Sequence, residues 1–292
     1  MHRSGFVAVI GRPNVGKSTL INAILGQKLC IVTPKAQTTR HRILGIYNDE
    51  ESQIIFVDSP GIIKPKYELQ KIMMRSVKNA IRDAEIILLL MEPFPQALEE
   101  EVFFQLEHVK VPIFLVINKS DIATPEEIQA RIHDLHAKIQ VHETLVISAL
   151  NKINLDQLLS TLKKYLPEGP AYYDKDMLSD RPERFFIAEI IREKIFLNTE
   201  EEIPYSCDVA VIICEERDHI FWIEAEIYVS RKNHKAMLIG KNGQMIKKIG
   251  TQARPEIEEL LQKPVYLNLY VKVSEDWKND PMKLKYFGYK EN

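Results

Sequence analysis

The sequence has little of what marks secreted or membrane-spanning proteins. Its three cysteines are Cys30, Cys207 and Cys214. An odd number with no C-x-x-C pair indicates reduced thiols and argues against a disulfide framework or a cysteine zinc site. No uncharged apolar run approaches the ~20 residues of a membrane span, and the first strand begins too early for a secretory signal to precede it. We therefore expect a cytoplasmic protein.

A large excess of charge of one sign is also absent. The net charge is −2 over 292 residues. The overall charge therefore gives no sign of nucleic-acid binding, and any basic surface must be local. The length suits two domains of the usual ~100–200 residues each.

The stretch Gly11–Ser18 fits G-x-x-x-x-G-K-[ST], a loop whose backbone N–H groups bind di- and triphosphates. An apolar run at 6–10 predicts a buried strand before it, and apolar residues at helical spacing in 19–25 predict a helix after it. The N-terminus of that helix would point at the anion. Lys17 is expected to reach the β- and γ-phosphates, and Ser18 to ligate Mg²⁺. The predicted nucleotide-binding residues here are Gly11, Arg12, Pro13, Asn14, Val15, Gly16, Lys17, Ser18 and Thr19.

Strands and helices then alternate through the first half of the chain. Strand-like runs occur at 42–47, 52–57, 85–91, 111–117 and 144–147, and helical patterns at 97–109, 125–139 and 155–166. Repeated βα units predict an α/β P-loop domain, with a mostly parallel six-stranded sheet and helices on both faces. Ligands of such sheets bind at the carboxyl ends of the strands. We place this domain at residues 1–168.

Three polar turns follow predicted strands. In Asp58-Ser59-Pro60-Gly61, the carboxylate can hold Mg²⁺ through water, and Gly61 lets its N–H approach the γ-phosphate. In Asn118-Lys119-Ser120-Asp121, Asp121 can accept hydrogen bonds from N1–H and the amino group of guanine, which adenine does not offer. Asn118 and Lys119 would brace the base. Ser148, Ala149 and Leu150 join the predicted site through their position alone.

These motifs, in this order and spacing, resemble the translation-factor-related GTPases. Asn14 in the phosphate loop and Thr38-Thr39-Arg40 in the first switch resemble the Era/TrmE branch in particular. The resemblance implies that one of the paired threonines contacts Mg²⁺, and we choose Thr39. It also implies that Asn14 takes part in binding a potassium ion that assists hydrolysis. The predicted metal-binding residues are Ser18, Thr39 and Asp58, and the predicted catalytic residues are Lys17, Thr39 and Gly61.

Ile62 stands where Ras-like GTPases carry a glutamine that orients water. An isoleucine side chain can neither orient nor deprotonate water. We therefore expect slow intrinsic hydrolysis that a cation, a partner or a rearranged loop accelerates, as suits a molecular switch.

The second half carries a different pattern. A polar, proline-containing stretch at 169–182 is typical of a linker. Residues 183–275 then show the order α-β-β-α-α-β, with helices predicted at 184–197, 238–249 and 255–261, and this indicates an α+β module. The tail, 276–292, has aromatic residues among lysines. It either extends an RNA surface or folds back on the module, and we favour folding back.

No acidic residue occurs between Arg231 and Arg254. Within this basic stretch, Gly240 and Gly243 form a G-x-x-G loop between helical segments, which is typical of a KH domain, here of type II. Such a domain clamps about four nucleotides of single-stranded RNA. Ile239 and Ile246 would be groove floor or core, two roles that the pattern does not separate. The predicted RNA-binding residues are Arg231, Lys232, Lys235, Ile239, Gly240, Lys241, Asn242, Gly243, Gln244 and Lys247.

A GTPase domain followed by a single KH domain resembles the bacterial Era family over essentially the whole chain. That resemblance implies binding of GTP and GDP, of the 3′ end of small-subunit ribosomal RNA and of the 30S subunit, whose maturation the protein would assist. It also implies a monomer associated peripherally with the inner face of the cell membrane. Two alternatives stay open at this point: another ribosome-associated GTPase, and an RNA chaperone in which the nucleotide is structural.

Overall fold

The computed structural model describes residues 2–97 and 99–289. It divides into two compact units. The first holds the described residues of Met1–Lys66 and Met73–Asp180, and the second those of Tyr67–Ile72 and Arg181–Asn292. The division after Asp180 falls within the stretch 169–182 that the sequence indicates as a linker.

The first unit is built on a six-stranded sheet. Its strand order is β2-β3-β1-β4-β5-β6. β2 is antiparallel to β3, whereas the other neighbours are parallel. This confirms the predicted mostly parallel sheet. The strands are β1 (Arg3–Ile10), β2 (Ile43–Asn48), β3 (Ser52–Asp58), β4 (Ile86–Met91), β5 (Ile113–Ile117) and β6 (Glu143–Val146).

Five helices accompany this sheet: α1 (Lys17–Leu25), α2 (Glu68–Arg82), α3 (Glu99–Leu106), α4 (Pro125–His136) and α5 (Leu155–Tyr165). The central strands are apolar and buried at every position of β4 and β5, as expected of parallel strands that helices cover on both faces. α2 is absent from the sequence prediction, although the buried residues Met73, Val77 and Ala80 recur at helical spacing.

The predicted linker is largely fixed to the first unit. The Ser4 hydroxyl donates to Pro170 O at 2.6 Å, and Gln53 Nε2 donates to Tyr173 O at 2.8 Å. The Ile46 amide donates to Leu178 O at 2.9 Å. Composition predicts a loop here but does not reveal these partners, because they lie more than a hundred residues away in the sequence.

The second unit has the order α-β-β-α-α-β, which confirms the predicted α+β type II KH fold. Its sheet has the order β7-β8-β9, with β7 and β8 antiparallel and β8 and β9 parallel. α6, α7 and α8 pack on one face of this sheet around a single core. The elements are α6 (Glu183–Asn198), β7 (Cys207–Arg217), β8 (Ile220–Val229), α7 (Lys232–Ile239), α8 (Gln244–Leu261), β9 (Val265–Val273) and α9 (Pro281–Tyr286).

The predicted bounds of the helices around the G-x-x-G loop were wrong. α7 ends at Ile239, a short 3₁₀ turn occupies Lys241–Gly243, and α8 then runs unbroken through Pro255. Proline removes one backbone hydrogen bond from a helix. Here the buried α8 residues Ile249, Ala253, Ile257 and Leu261 offset that loss by packing in the core.

The tail folds back on the second unit, as we favoured from the sequence. Trp277 is fully buried, and its Nε1 donates to Ser206 O at 3.1 Å. The Tyr289 hydroxyl donates to Asp208 Oδ2 at 2.6 Å. The tail residues up to 289 are therefore part of the folded unit. No helix in the described part of the chain is long and apolar enough to span a bilayer.

Candidate functional site

The glycine-rich loop connects β1 to α1, as the motif predicts. Gly16 is the N-cap of α1, and no side chain caps this end of the helix. The first N–H groups of α1 therefore remain available to an anion, whose charge the helix dipole favours. A cavity of about 350 Å³ lies here, lined by the loop, by 31–34 and 37–39 of the first switch, and by Gly61 and Lys119.

Lys17 is buried in this loop. Its ammonium donates to Arg12 O at 2.8 Å and to Gly11 O at 3.3 Å. Burial lowers the pKa of Lys17 to about 8, a shift that the Asp58 carboxylate opposes. Phosphate oxygens nearby would favour the charged form of Lys17 again. Lys17 is therefore placed to bind an anionic phosphate group in the loop.

The three predicted metal ligands lie together. The Ser18 hydroxyl donates to Asp58 Oδ2 at 2.7 Å and lies 3.0 Å from Thr39 Oγ1. Asp58 is fully buried, and burial raises the pKa of its carboxyl group. Asp58 Oδ1 has no hydrogen-bond partner among the described residues. Hydroxyl and carboxylate oxygens suit a hard cation such as Mg²⁺, and a buried unpaired carboxylate oxygen fits a site that a cation or its bound water completes.

The paired threonines differ in position. Whereas Thr39 faces Ser18, the Thr38 hydroxyl lies 2.6 Å from Thr33 Oγ1 and donates to Lys35 O at 2.7 Å. Thr38 thus stabilises the first switch loop internally. The geometry favours Thr39 as the metal contact.

We expect Thr39→Ala to raise the Mg²⁺ concentration needed for half-maximal binding of a GTP analogue by about tenfold, because one oxygen contact to a charged group is lost. Thr38→Ala is the matched control and should leave this Mg²⁺ dependence within about twofold of the wild type. A Mg²⁺ titration with a fluorescent GTP analogue measures both variants. Equal shifts in the two variants would contradict the assignment of Thr39.

The D-x-x-G turn packs closely on the phosphate loop. A Cβ on Gly61 would lie 2.4 Å from Pro13 N, so no other residue fits without a backbone shift. The Ile62 amide donates to Gly11 O at 3.1 Å, and the Ile62 side chain is buried. Ile62 therefore anchors the turn by packing. Its apolar side chain cannot position the water that attacks GTP, so other groups must do so.

Asn118 connects the predicted base-binding residues to the phosphate loop. Asn118 Nδ2 donates to Val15 O at 2.8 Å, and its Oδ1 accepts from the Ala149 amide at 2.9 Å. The Ser148 hydroxyl donates to Asp121 Oδ1 at 2.5 Å, which fixes the orientation of the carboxylate. Asp121 is exposed, so its carboxylate is accessible to a guanine base.

The remaining base-pocket residues are held less closely. Lys119 forms an ion pair with Glu92, while the Leu150 side chain is 75% exposed. The structure thus brings Asn118, Asp121, Ser148 and Ala149 into one arrangement and leaves Leu150 at its margin.

Asn22 supports the loop behind the three predicted metal ligands, a role that is absent from the sequence prediction. Asn22 Oδ1 accepts from the Leu29 and Cys30 amides at 3.0 and 2.8 Å, and Asn22 Nδ2 donates to Cys30 O at 2.7 Å. The Cys30 side chain lies near the Asp58 carboxyl group and opposes the rise that burial causes in its pKa. An asparagine inside a helix is a weak signal, and its partners become apparent only once the loop at 28–31 has folded.

In the second unit, the G-x-x-G loop projects between α7 and α8. Gly243 has φ 76°, and a Cβ there would meet no atom within 4 Å, so the space beside it is open. Lys241, Asn242 and Gln244 are exposed around it. The backbone of this loop is thus accessible to a nucleic-acid strand, as the motif predicts.

A groove of about 340 Å³ lies between α8, the helix that follows this loop, and β9. Among the predicted RNA-binding residues only Lys247 lines it; Arg231 and Lys232 are exposed and Lys235 is half-buried at the start of α7. Ile239 and Ile246, whose role the sequence left open, both pack against the core, and Ile246 also lines the groove. The other lining residues are absent from the predicted RNA-binding set: Gly250, Thr251, Arg254 and the β9 wall at Val265, Tyr266, Leu267, Asn268 and Leu269.

Comparison with known proteins covers both units. Residues 6–119 match the family model for the 50S ribosome-binding GTPase, and residues 202–278 match that for the KH domain. A crystal structure of a variant of Aquifex aeolicus Era bound to GDP·AlF₄⁻ is 41% identical, covers 99% of this chain and 100% of that chain, and has a TM-score of 0.95. The structure of Era in complex with MgGDPNP and nucleotides 1506–1542 of 16S ribosomal RNA is also 41% identical, covers 100% of both chains and has a TM-score of 0.96.

The chain belongs to the Era family of GTPases. This confirms the resemblance inferred from the motifs and the pairing of a GTPase domain with a KH domain. The full coverage of both Era chains also removes one alternative, a ribosome-associated GTPase with tandem GTPase domains or another C-terminal module.

Proposed function

We propose that this Era-family GTPase binds the 3′ end of small-subunit ribosomal RNA through its KH domain and thereby assists maturation of the 30S subunit. The observation that carries this proposal is the full-length similarity to Era solved with nucleotides 1506–1542 of 16S ribosomal RNA. The accessible G-x-x-G loop and the groove beside it supply the matching features in this chain.

The first unit would hydrolyse GTP to GDP and phosphate. The N–H groups of α1 and the Lys17 ammonium bind the phosphates, Ser18, Thr39 and Asp58 hold the metal, and Asp121 selects guanine. Mg²⁺, when bound, offsets the charge on the β- and γ-phosphate oxygens. Because Gly61 lies against the phosphate loop, its N–H can follow the γ-phosphate. Loss of that phosphate would release the turn and the first switch.

The switch itself is tested by RNA affinity in two nucleotide states. We expect the GTP-analogue form to bind a fluorescein-labelled oligomer of the 16S 3′ end at least about tenfold more tightly than the GDP form, which corresponds to ~1.4 kcal/mol of coupling. Fluorescence polarisation measures both forms at one salt concentration. Equal affinities would disprove the coupling.

The alternative of an RNA chaperone with a structural nucleotide makes a different prediction. It requires that GTP is not turned over even when RNA, Mg²⁺ and K⁺ are all present. Release of phosphate above the rate of the Lys17→Ala variant under those conditions would exclude it.

A potassium ion near Asn14 is the second part of the proposal. Asn14 Nδ2 donates to Pro34 O at 2.9 Å, so the residue already lies against the backbone of the first switch. Its Oδ1 and switch carbonyl groups are oxygen ligands that suit such a cation. A cation there would supply the transition-state stabilisation that Ile62 cannot give.

We expect GTP hydrolysis to be at least about tenfold faster in K⁺ than in Na⁺ at equal ionic strength, and Asn14→Ala to remove this difference. Phosphate release at several K⁺ concentrations measures the effect. GTP-analogue affinity is the control, because it should change far less than the rate. A K⁺ effect that persists in Asn14→Ala would contradict the role of this residue.

Finally, we propose a monomer that is cytoplasmic and associates peripherally with the inner face of the membrane. The support is the Era-family resemblance. Light scattering tests the monomer, and flotation with vesicles containing anionic lipid tests the membrane contact; recovery of all protein in the vesicle-free fraction would remove the latter.

A further inference from the structure

The RNA groove has one wall made by an edge strand. β9 is the last strand of the sheet order β7-β8-β9, so one of its sides lacks a neighbouring strand in the described sheet. Side chains of successive strand residues point to opposite faces. Val265, Leu267 and Leu269 alternate with Tyr266 and Asn268, yet all five line the groove. Residues that alternate between the two faces of the sheet therefore border the groove at the edge of β9.

Tyr266 is held in place on the face of the sheet opposite the helices. It pairs with Trp222 across β8 and β9. The two rings stack with centroids 4.1 Å apart and an interplanar angle of 27°. Trp222 Nε1 donates to Glu224 Oε1 at 3.2 Å, which fixes the indole. Tyr266 nevertheless remains 46% exposed. One face of its ring is thus fixed by Trp222, and the ring is preorganised for a further stacking partner.

Asn268 is the next residue of β9 on the same face. Its Nδ2 donates to the Tyr270 hydroxyl at 2.6 Å, which orients the side-chain amide. A side-chain amide offers both a donor and an acceptor, the groups that recognise the edges of bases. Tyr266 and Asn268 therefore place a stacking surface and a polar group side by side at the rim of the groove.

We propose that single-stranded RNA leaves the KH groove over the edge of β9, where a further base stacks on Tyr266 and contacts Asn268. The inference rests on the proposed RNA binding and goes beyond the nucleotides that the G-x-x-G loop and the groove hold. A KH groove clamps about four nucleotides, so this step adds at least one base to the site. Base stacking on an aromatic side chain tolerates any base, whereas Asn268 adds a preference among bases.

The basic α8 wall of the groove favours RNA as the occupant of the β9 edge. Glu224 lies near Trp222, and Glu226 is paired with Lys272. Carboxylates there disfavour phosphates on this face but do not oppose a neutral base. The basic residues Lys247 and Arg254 lie on the α8 wall of the same groove, where the backbone of the RNA would pass. Because the edge of β9 borders the same groove as these basic residues, we propose RNA as the occupant.

The chain offers a closely matched control. Tyr270 lies on the same strand and the same face as Tyr266, and it is 44% exposed, but it does not line the groove. The test uses the full chain with fluorescein-labelled oligomers of four and nine nucleotides from the 3′ end of its own 16S ribosomal RNA. Tyr266→Ala should weaken binding of the nine-nucleotide oligomer about tenfold and leave the four-nucleotide oligomer unchanged.

Tyr266→Phe should retain wild-type affinity because the ring remains. Tyr270→Ala releases the Asn268 amide but leaves the Tyr266 ring in place, so it should weaken binding of the nine-nucleotide oligomer by at most about threefold and leave the four-nucleotide oligomer unchanged. A nine-nucleotide oligomer should also quench tryptophan fluorescence, an effect that Trp222→Phe removes. Wild-type binding of the longer oligomer by Tyr266→Ala, or an equal loss in Tyr270→Ala, would overturn the proposal. The proposal would also be overturned if a basic peptide displaced the nine-nucleotide oligomer from the wild type while Tyr266→Ala bound that oligomer as tightly as the wild type does. Failure of the wild type to bind even four nucleotides would instead disprove RNA binding by the groove.

Discussion

Lys17→Ala is expected to weaken binding of a GTP analogue about a thousandfold and binding of GDP, which has no γ-phosphate, at least about tenfold. The buried ammonium of Lys17 donates to two loop carbonyl oxygens, at 2.8 and 3.3 Å, and burial lowers its pKa to about 8. When the β- and γ-phosphates bind, two hydrogen bonds between charged groups replace these contacts, each worth ~1.5–3 kcal/mol. Alanine removes both with the GTP analogue and one with GDP, which corresponds to these losses. Calorimetric titrations with the two nucleotides measure them.

The same variant should fold as well as the wild type. Burial of the Lys17 ammonium disfavours its charged form, so its removal should not lower the melting temperature of the chain measured without nucleotide. The increase in melting temperature that GDP causes in the wild type should be smaller in the variant. Lys138→Ala, which removes only a surface ion pair with Asp134, is the control and should bind GDP normally. RNA affinity of nucleotide-free Lys17→Ala should equal that of the nucleotide-free wild type. A Lys17→Ala chain that still binds GDP within tenfold of the wild type would contradict the assigned role.

Gly243→Asp should have the opposite effect, with RNA affinity reduced about a hundredfold and GDP affinity unchanged. Gly243 has φ 76° and open space beside it, so an aspartate side chain would project without touching the protein. Aspartate also tolerates this backbone conformation better than most residues. It would place a negative charge and additional volume where the phosphates of the RNA approach. Polarisation titrations with the 16S oligomer, repeated at two salt concentrations, measure the loss.

Two further variants separate charge from shape. Gly243→Asn has the same size without the charge and should lose about tenfold at most. Gly26, at the end of α1, has φ 71° and equally open surroundings, so Gly26→Asp introduces the same residue in the same conformation away from the KH unit. Its RNA affinity should match the wild type. Retained RNA affinity in Gly243→Asp would remove the G-x-x-G loop from the RNA site.

The nucleotide site was largely predictable because its residues are contiguous in the sequence. Gly11–Ser18 identifies a phosphate loop from eight neighbouring residues, and Asp58 and Asp121 each follow a recognisable strand. The parallel sheet then brings these strand ends to one edge, a general property of α/β folds. No helix was predicted between the D-x-x-G turn and β4, although buried Met73, Val77 and Ala80 have the spacing of a helix there, in α2.

The RNA site was predictable only on one side. The G-x-x-G loop and the basic residues of α7 and α8 are visible in the sequence, whereas the β9 wall is not. Leu269 of β9 lies beside Gly250 of α8, where a Cβ placed on the glycine would be 3.5 Å from Leu269 Cδ1, an ordinary contact distance. That pairing depends on how helix and sheet pack, and no local pattern records it.

The sequence by itself determined that this chain binds a guanine nucleotide and carries a KH module, because each depends on a short run of residues whose backbone geometry follows from glycine, lysine and aspartate at fixed spacing. Only the tertiary structure separated the positions of Thr38 and Thr39, fixed the residues after 168 along the first unit and buried Trp277 of the tail. It also placed Tyr266 at the rim of the groove. These outcomes depend on which distant groups meet when buried polar groups must be paired and apolar surface removed from water.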